Sequence, residues 1–234
     1  MELSDVIPWG RTADEYERMF LLSRTDDLPT HRFLGVADGP ASFNAEWTAA
    51  GGRVTSVDPL YALPGAGIVA RYAAVRGQVA AALTANPGAY AWGPAPARFP
   101  NVPALLRRRD TAMAAFAADF DAGRAAGRYV TGGLPALPLP ADAADVALVS
   151  HYLFLYSRQV DGPAHVAAVE ELLRVAPEVR IFPLLTLAGE VSPHVDTVVG
   201  HARRRGWGVS VKQVDYEVQR DGNQMMVISR RGGG

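Results

Sequence analysis

The chain contains no cysteine, and of its 23 basic residues only Lys212 is a lysine. The first absence excludes disulfides, zinc–thiolate centres, iron–sulfur clusters and cysteine nucleophiles, while saying nothing about compartment. Neither sign of charge is in excess: the formal net charge is −1 and the isoelectric point is near 6.5. A generally basic surface for nucleic acid or anionic lipid is therefore not expected. Long apolar runs are also missing. The longest, residues 146–156, is interrupted by Ser150 and His151 and falls well short of the roughly 18–20 residues that span a bilayer. Met1-Glu2-Leu3-Ser4-Asp5 has neither a basic nor an apolar region of the secretory kind. The five histidines show no metal-binding spacing, and Gly-x-Ser-x-Gly is absent. These absences lead to the expectation of a cytoplasmic protein with no metal, no membrane and no nucleic-acid partner.

With 49% hydrophobic residues among 234, the chain can bury a full core. Phe33-Leu34-Gly35-Val36 reads as a buried strand running into the turn Ala37-Asp38-Gly39-Pro40-Ala41. A helix over 42–50 stops at Gly51-Gly52, and a second strand, Arg53–Val57, ends at Asp58-Pro59. Such a unit has the length of a βαβ crossover. Further strands are expected at 129–131, 146–149, 179–182, 209–218 and 224–229, with helices over 165–174 and 193–205. The last two strands are joined by the turn Gln219-Arg220-Asp221-Gly222-Asn223, suited to an antiparallel hairpin. Alternating elements of this kind make a mostly parallel sheet with helices on both faces.

Two segments stand outside the alternation. Residues 1–30 hold a helix over 14–23, with Thr12 and Glu15 spaced as a capping box. Residues 60–127 form an insertion with helices over 65–83 and 103–122, far longer than an ordinary crossover. Both are read as helical cover within a single domain, 1–234, lying over the carboxyl edge of the sheet. Tyr72, Trp92 and Phe99 are then the expected apolar wall of a closed site. Arg107-Arg108-Arg109 and Arg203-Arg204-Arg205 read as solvated helix faces, because no aromatic residues interleave them.

Ligands of open parallel sheets sit outside the carboxyl ends of the strands. The first turn lacks the three spaced glycines that a dinucleotide pyrophosphate requires, but Asp58 at the second strand's end can accept from both hydroxyls of a ribose. A nucleoside-like ligand without a diphosphate suits that pair. Ser150-His151-Tyr152 ends the fourth strand. There Ser150 supplies a polar contact, His151 a base near neutral pH, and Tyr152 or Tyr156 an aromatic face for a cation. Gln219, Arg220, Asn223 and Gln224, at the tip of the last hairpin, are candidates for binding a polar substrate.

The runs Leu34-Gly35-Val36-Ala37-Asp38-Gly39-Pro40-Ala41-Ser42 and Val54-Thr55-Ser56-Val57-Asp58 resemble motifs I and II of class I S-adenosylmethionine-dependent methyltransferases. Gly132-Gly133-Leu134-Pro135-Ala136-Leu137-Pro138 resembles the stretch after that family's third strand, and Asp145–Ser150 its fourth. The likeness covers about residues 31–230. Its narrower match, through Ser150–Ser157 and Tyr216–Arg220, is to a bacterial subgroup without an assigned substrate. The resemblance implies a doubly wound seven-stranded sheet in the order 3-2-1-4-5-7-6, the last strand antiparallel. It also implies S-adenosylmethionine as cofactor, held by Gly35, Ala37, Asp38, Gly39, Asp58, Pro59, Gly133, Leu134 and Ser150. The sequence departs from the pattern where Gly35 stands in place of the motif I acid and Ala37 and Ala41 replace glycines. Asp38 is then the residue placed to meet the cofactor's amino group. Methyl transfer to a small metabolite is the leading expectation. Cyclisation of the cofactor to azetidine-2-carboxylate and methylthioadenosine, or a non-catalytic relative of the fold, are the alternatives.

Overall fold

The computed structural model describes residues 7–230; the opening five residues considered above lie outside them. Seven strands form one sheet in the order β3-β2-β1-β4-β5-β7-β6. They are β1 (Arg32–Val36), β2 (Arg53–Val57), β3 (Tyr129–Val130), β4 (Val146–Ser150), β5 (Glu178–Phe182), β6 (Gly208–Gln213) and β7 (Gln224–Ser229). The first five are parallel, and β7 runs antiparallel to both β5 and β6. This is the order that the resemblance implies.

The central strands read as near-continuous apolar runs because both of their faces are covered. Leu34, Val36, Ala147, Val149 and Ile181 meet α5 (Gly162–Val175) and α6 (Val195–Arg204) through Val169, Leu172, Leu173 and Val198. On the other face, Phe33, Val54, Val146 and Leu148 meet α1 (Ala13–Phe20) and α2 (Phe43–Ala49). Aromatic rings knit this second layer: Tyr16 stacks on Phe43 with centroids 4.4 Å apart, and Phe33 meets Trp47 edge-on at 5.6 Å.

The insertion provides α3 (Gly65–Ala85) and α4 (Val102–Ala125), which pack on each other. α4 also lies against α2 and β3, so much of the insertion thickens the α1/α2 side of the sheet. Tyr61, Ile68, Phe116, Phe120 and Tyr129 form the apolar seam that holds it there. Among the described residues no helix is long and apolar enough to cross a membrane.

Two sequence expectations are corrected here. β6 ends at Gln213 instead of 218, because the following segment turns away to serve other parts of the molecule. Tyr216 enters the core, Glu217 pairs with Arg98 of the insertion, and Ala91 N–H donates to Val218 O at 2.9 Å. Arg109 does not lie on a solvated face: its side chain is only 1% exposed and is paired with Glu15, itself 2% exposed. Arg203, Arg204 and Arg205 are exposed, as the sequence suggests.

The Glu15–Arg109 pair is bidentate, at 2.6 and 2.5 Å. Tyr216 OH donates to Glu15 Oε1 at 2.8 Å, and Thr12 N–H donates to Oε2 at 3.0 Å, completing the capping box. Arg109 also donates to Gly10 O at 3.2 Å. Burial alone would raise the Glu15 carboxyl, but the Arg109 charge and its hydrogen bonds win and hold it at about 2. Its folded value lies below its unfolded one, so the stabilisation is present above the ordinary carboxylate range and is lost as pH falls towards 2. Glu15→Ala leaves Arg109 buried and unpaired and is expected to cost about 3–5 kcal/mol in denaturant unfolding. Glu15→Leu combined with Arg109→Leu should cost much less than the sum of the two single changes. Additive losses would show that the pair is not coupled.

Candidate active site

The carboxyl ends of the parallel strands open into a cavity of about 470 Å³, within the roughly 300–1,000 Å³ usual for small-molecule sites. Parallel register explains its composition. Val36 pairs with Val57, and Ala37 N–H donates to Val57 O at 2.9 Å, which sets the turn after β1 beside Asp58. Asp58 is fixed by two backbone donors: Gly39 N–H to Oδ2 at 2.8 Å and Leu60 N–H to Oδ1 at 2.7 Å. One acceptor direction on each oxygen remains for a ligand. Burial raises the Asp58 carboxyl, against the pull of those two donors and of Arg71. Gly39 has φ +54°, with open space where a Cβ would stand. The conformation, not crowding, therefore favours glycine there.

Asp38 is buried and folds back over β1. Ser56 Oγ donates to its Oδ2 at 2.6 Å, and Tyr16 OH donates to its Oδ1. A Cβ on Gly35 would stand 2.2 Å from Asp38 Oδ2. The space for a side chain at position 35 is thus filled by a carboxylate from the turn. Burial is the larger influence on Asp38; it outweighs the donors and, aided by Asp58, raises the carboxyl to about 6.

At the end of β4, His151 adopts φ +53°, an uncommon backbone state of the kind that collects at functional sites. Its N–H donates to Phe182 O at 2.6 Å, and its Nδ1 lies 2.9 Å from Ser150 Oγ. Burial, then the charges of Arg11 and Arg109, hold its imidazolium well below the ordinary range. His151 is accordingly neutral at neutral pH, with Nε2 facing away from the Ser150 contact. Tyr152 is half-buried beside it and lines the same cavity.

Of the residues singled out in the sequence, Ala37, Asp38, Gly39, Asp58, Pro59, Gly133, Leu134, Ser150, His151 and Tyr152 line this one cavity. Gly35 lies beneath it, making room for Asp38. Tyr156 stands behind the lining, where its hydroxyl accepts from Ile7 N–H at 3.2 Å. The hairpin-tip group lies elsewhere. Gln219 donates to Thr186 O at 2.7 Å, Arg220 donates to Gly88 O and Tyr90 O at 2.8 and 3.1 Å, and Asn223 accepts from Val214 N–H. Gln224 begins β7 with an exposed side chain. The expected aromatic wall is also elsewhere: Tyr72 packs on Trp9, Trp92 on Tyr90, and Phe99 in the apolar cluster around Leu105. Instead Leu60, Ala62, Leu63 and Arg71 supply the insertion's share of the lining, and Ile7, Pro8, Trp9, Arg11 and Tyr16 supply the N-terminal share. None of these nine was singled out as a site residue from the sequence, because no local motif marks them.

No protein-family model matches the chain. A curated relative, "Uncharacterized protein MJ0045" of Methanocaldococcus jannaschii, is 30% identical over 234 residues, covering 98% of this chain and 99% of its own. The chain belongs to that protein's family. The relative is archaeal, so the family is not confined to bacteria. Among solved structures, TnmH is 15% identical with a TM-score of 0.47; the match covers 93% of this chain and 54% of TnmH, about half its length. The glycopeptide N-methyltransferase MtfA, complexed with sinefungin, is 13% identical with a TM-score of 0.43 over 97% of each chain. Likeness at this level does not carry chemistry from one protein to another.

The Asp38 environment predicts a pH signature. Its folded value lies above the unfolded one, so folding favours the protonated form, and stability falls as pH rises from 3.8 to about 6. Asp38→Asn, a neutral mimic, should remove this loss, gaining on the unsubstituted protein by up to roughly 3 kcal/mol between pH 4 and 7. Unfolding of both proteins across that range checks it; parallel curves would contradict it.

Proposed function

We propose that this chain is an S-adenosylmethionine-dependent methyltransferase acting on a small metabolite. The observation that carries the reading is Asp58: a carboxylate at the end of β2, oriented by Gly39 N–H and Leu60 N–H, on the wall of a cavity of about 470 Å³. A vicinal diol is the group that such a fixed, two-oxygen acceptor matches. Gly39, with open space above it, lets a ligand approach the backbone closely. The resemblance in motifs I and II points to the same positions.

The bound cofactor supplies a methyl group made electrophilic by its sulfonium. This chain's residues do the rest. Asp58 orients the ribose, and Asp38 meets the ammonium group, whose charge favours the ionised carboxylate. The Tyr152 ring offers an electron-rich face to a cation. Transfer needs mainly an acceptor held in line at about 3–3.5 Å. In the tautomer that donates from Nδ1 to Ser150 Oγ, neutral His151 has a free Nε2 to take the proton that a nitrogen or oxygen acceptor releases.

Calorimetry with S-adenosylmethionine and S-adenosylhomocysteine tests the cofactor. Binding should be micromolar to submillimolar, and Asp58→Ala should weaken it by about 1–3 kcal/mol. No binding at millimolar ligand would overturn the reading in favour of a non-catalytic protein. The reaction is tested by product: S-adenosylhomocysteine should accumulate only when an acceptor is added. Methylthioadenosine formed from cofactor alone would replace methyl transfer with cyclisation.

A further inference from the structure

The cavity wall contains a charge that the described residues leave unbalanced. Arg11, just before α1, lines the cavity, and its Nη1 donates to Trp9 O at 2.8 Å. Its Nε is buried without an acceptor, and it makes no ion pair with any described residue. The nearby acid, Glu15, is saturated: both oxygens receive Arg109, Oε1 also receives Tyr216 and Oε2 also receives Thr12. Two guanidinium groups therefore stand near one carboxylate, and only Arg109 is bonded to it. Burial and the neighbouring Arg109 both disfavour the Arg11 charge, and a half-buried cation in that position gains most from an anion delivered by a ligand.

We propose that Arg11 binds a carboxylate of the methyl acceptor, so that the second substrate is a small carboxylic acid seated between Arg11 and His151. The proposal rests on the methyltransferase reading for its second ligand. A carboxylate suits the site better than a phosphate. A planar guanidinium takes a carboxylate by two parallel hydrogen bonds, and the single charge of a carboxylate meets less repulsion from Asp38 and Asp58 on the same wall than a doubly charged phosphate does. Asp38 and Asp58 lie at the other strand ends and repel an anion, which directs the acid towards Arg11. Arg11 and Arg109 are also the two charges that suppress protonation of His151. An anion on Arg11 offsets one of them, so the base strengthens when the acceptor is in place.

Acetate, butyrate and benzoate, each paired with its primary amide, are titrated into the full chain with and without saturating S-adenosylhomocysteine. At least one acid should bind ten-fold or more tightly than its amide to the S-adenosylhomocysteine complex. Arg11→Met should bring acid and amide within two-fold while leaving S-adenosylhomocysteine affinity within two-fold. Arg11→Lys, which keeps the charge but loses the fork, should retain part of the preference and serves if the methionine variant fails to fold. A ten-fold loss of S-adenosylhomocysteine affinity in Arg11→Met, without acid-over-amide preference in the unsubstituted chain, would assign Arg11 to the cofactor's own carboxylate and overturn the proposal. Equal binding of every acid and its amide would also overturn it. If S-adenosylhomocysteine does not bind but an Arg11-dependent acid preference persists, the methyltransferase reading fails and the carboxylate site stands.

Discussion

The buried pairing of Glu15 with Arg109 joins positions 94 residues apart and fixes three otherwise separate pieces of chain. Glu15 belongs to the first helix, Arg109 to the insertion, and Tyr216 to the segment after β6; all three meet within one set of hydrogen bonds. Desolvating two charges is costly, so the net stability of such a pair is small beside the cost of removing one partner. Its consequence lies upstream. With Gly10 O also bound to Arg109, the chain from Ile7 to Thr12 is held across the strand ends, and Trp9 and Arg11 become part of the cavity wall.

A second constraint acts from below. Burial raises both strand-end acids, but the donors that answer them differ. Asp58 is half-buried and answered by two amides; Asp38 is buried and answered by two hydroxyls. Hydroxyls can turn to accept when the acid is protonated, whereas amides cannot, so the partners of Asp38 can answer its protonated form. The cavity thus carries acids at the ends of β1 and β2, Arg71 of α3 near the second of them, and one cation, Arg11, on the strap before α1. A ligand with a diol or ammonium at one end and an anion beyond it fits that polarity.

Much of this was legible in the sequence where it depends on neighbours in the chain. The strand Arg53–Val57 and the hairpin strand Gln224–Ser229 fall where alternation and turn residues place them. Asp58 follows from its position after a strand, and Ser150-His151-Tyr152 from the same logic two strands later. The residues that escaped are those whose partners are remote. Nothing within three Arg residues at 107–109 distinguishes Arg109, whose burial is set by Glu15 far away. Arg220 and Gln219 look like substrate ligands in a turn, yet Arg220 braces the insertion through the carbonyls of 88 and 90, and Gln219 holds the loop after β5 through that of 186. Trp9 and Arg11 precede a helix in a stretch with no periodicity of its own.

Two non-glycine residues with positive φ, Ala37 and His151, end the adjacent strands β1 and β4. A left-handed residue turns the chain sharply at the last ladder position, so that the next side chains point over the strand ends instead of continuing the pleat. At Ala37 this swings Asp38 back above Gly35; at His151 it brings the imidazole against Ser150 and leaves Tyr152 on the wall. Each such residue is strained, by about 1–3 kcal/mol, and is held in place by a neighbour: Ala37 by Val57 O, His151 by Phe182 O. The strain is therefore borne by the ladder of the sheet itself. Any ligand that gathers Asp38 and His151 meets groups already fixed in position, and ordering them adds little to the entropy lost on binding.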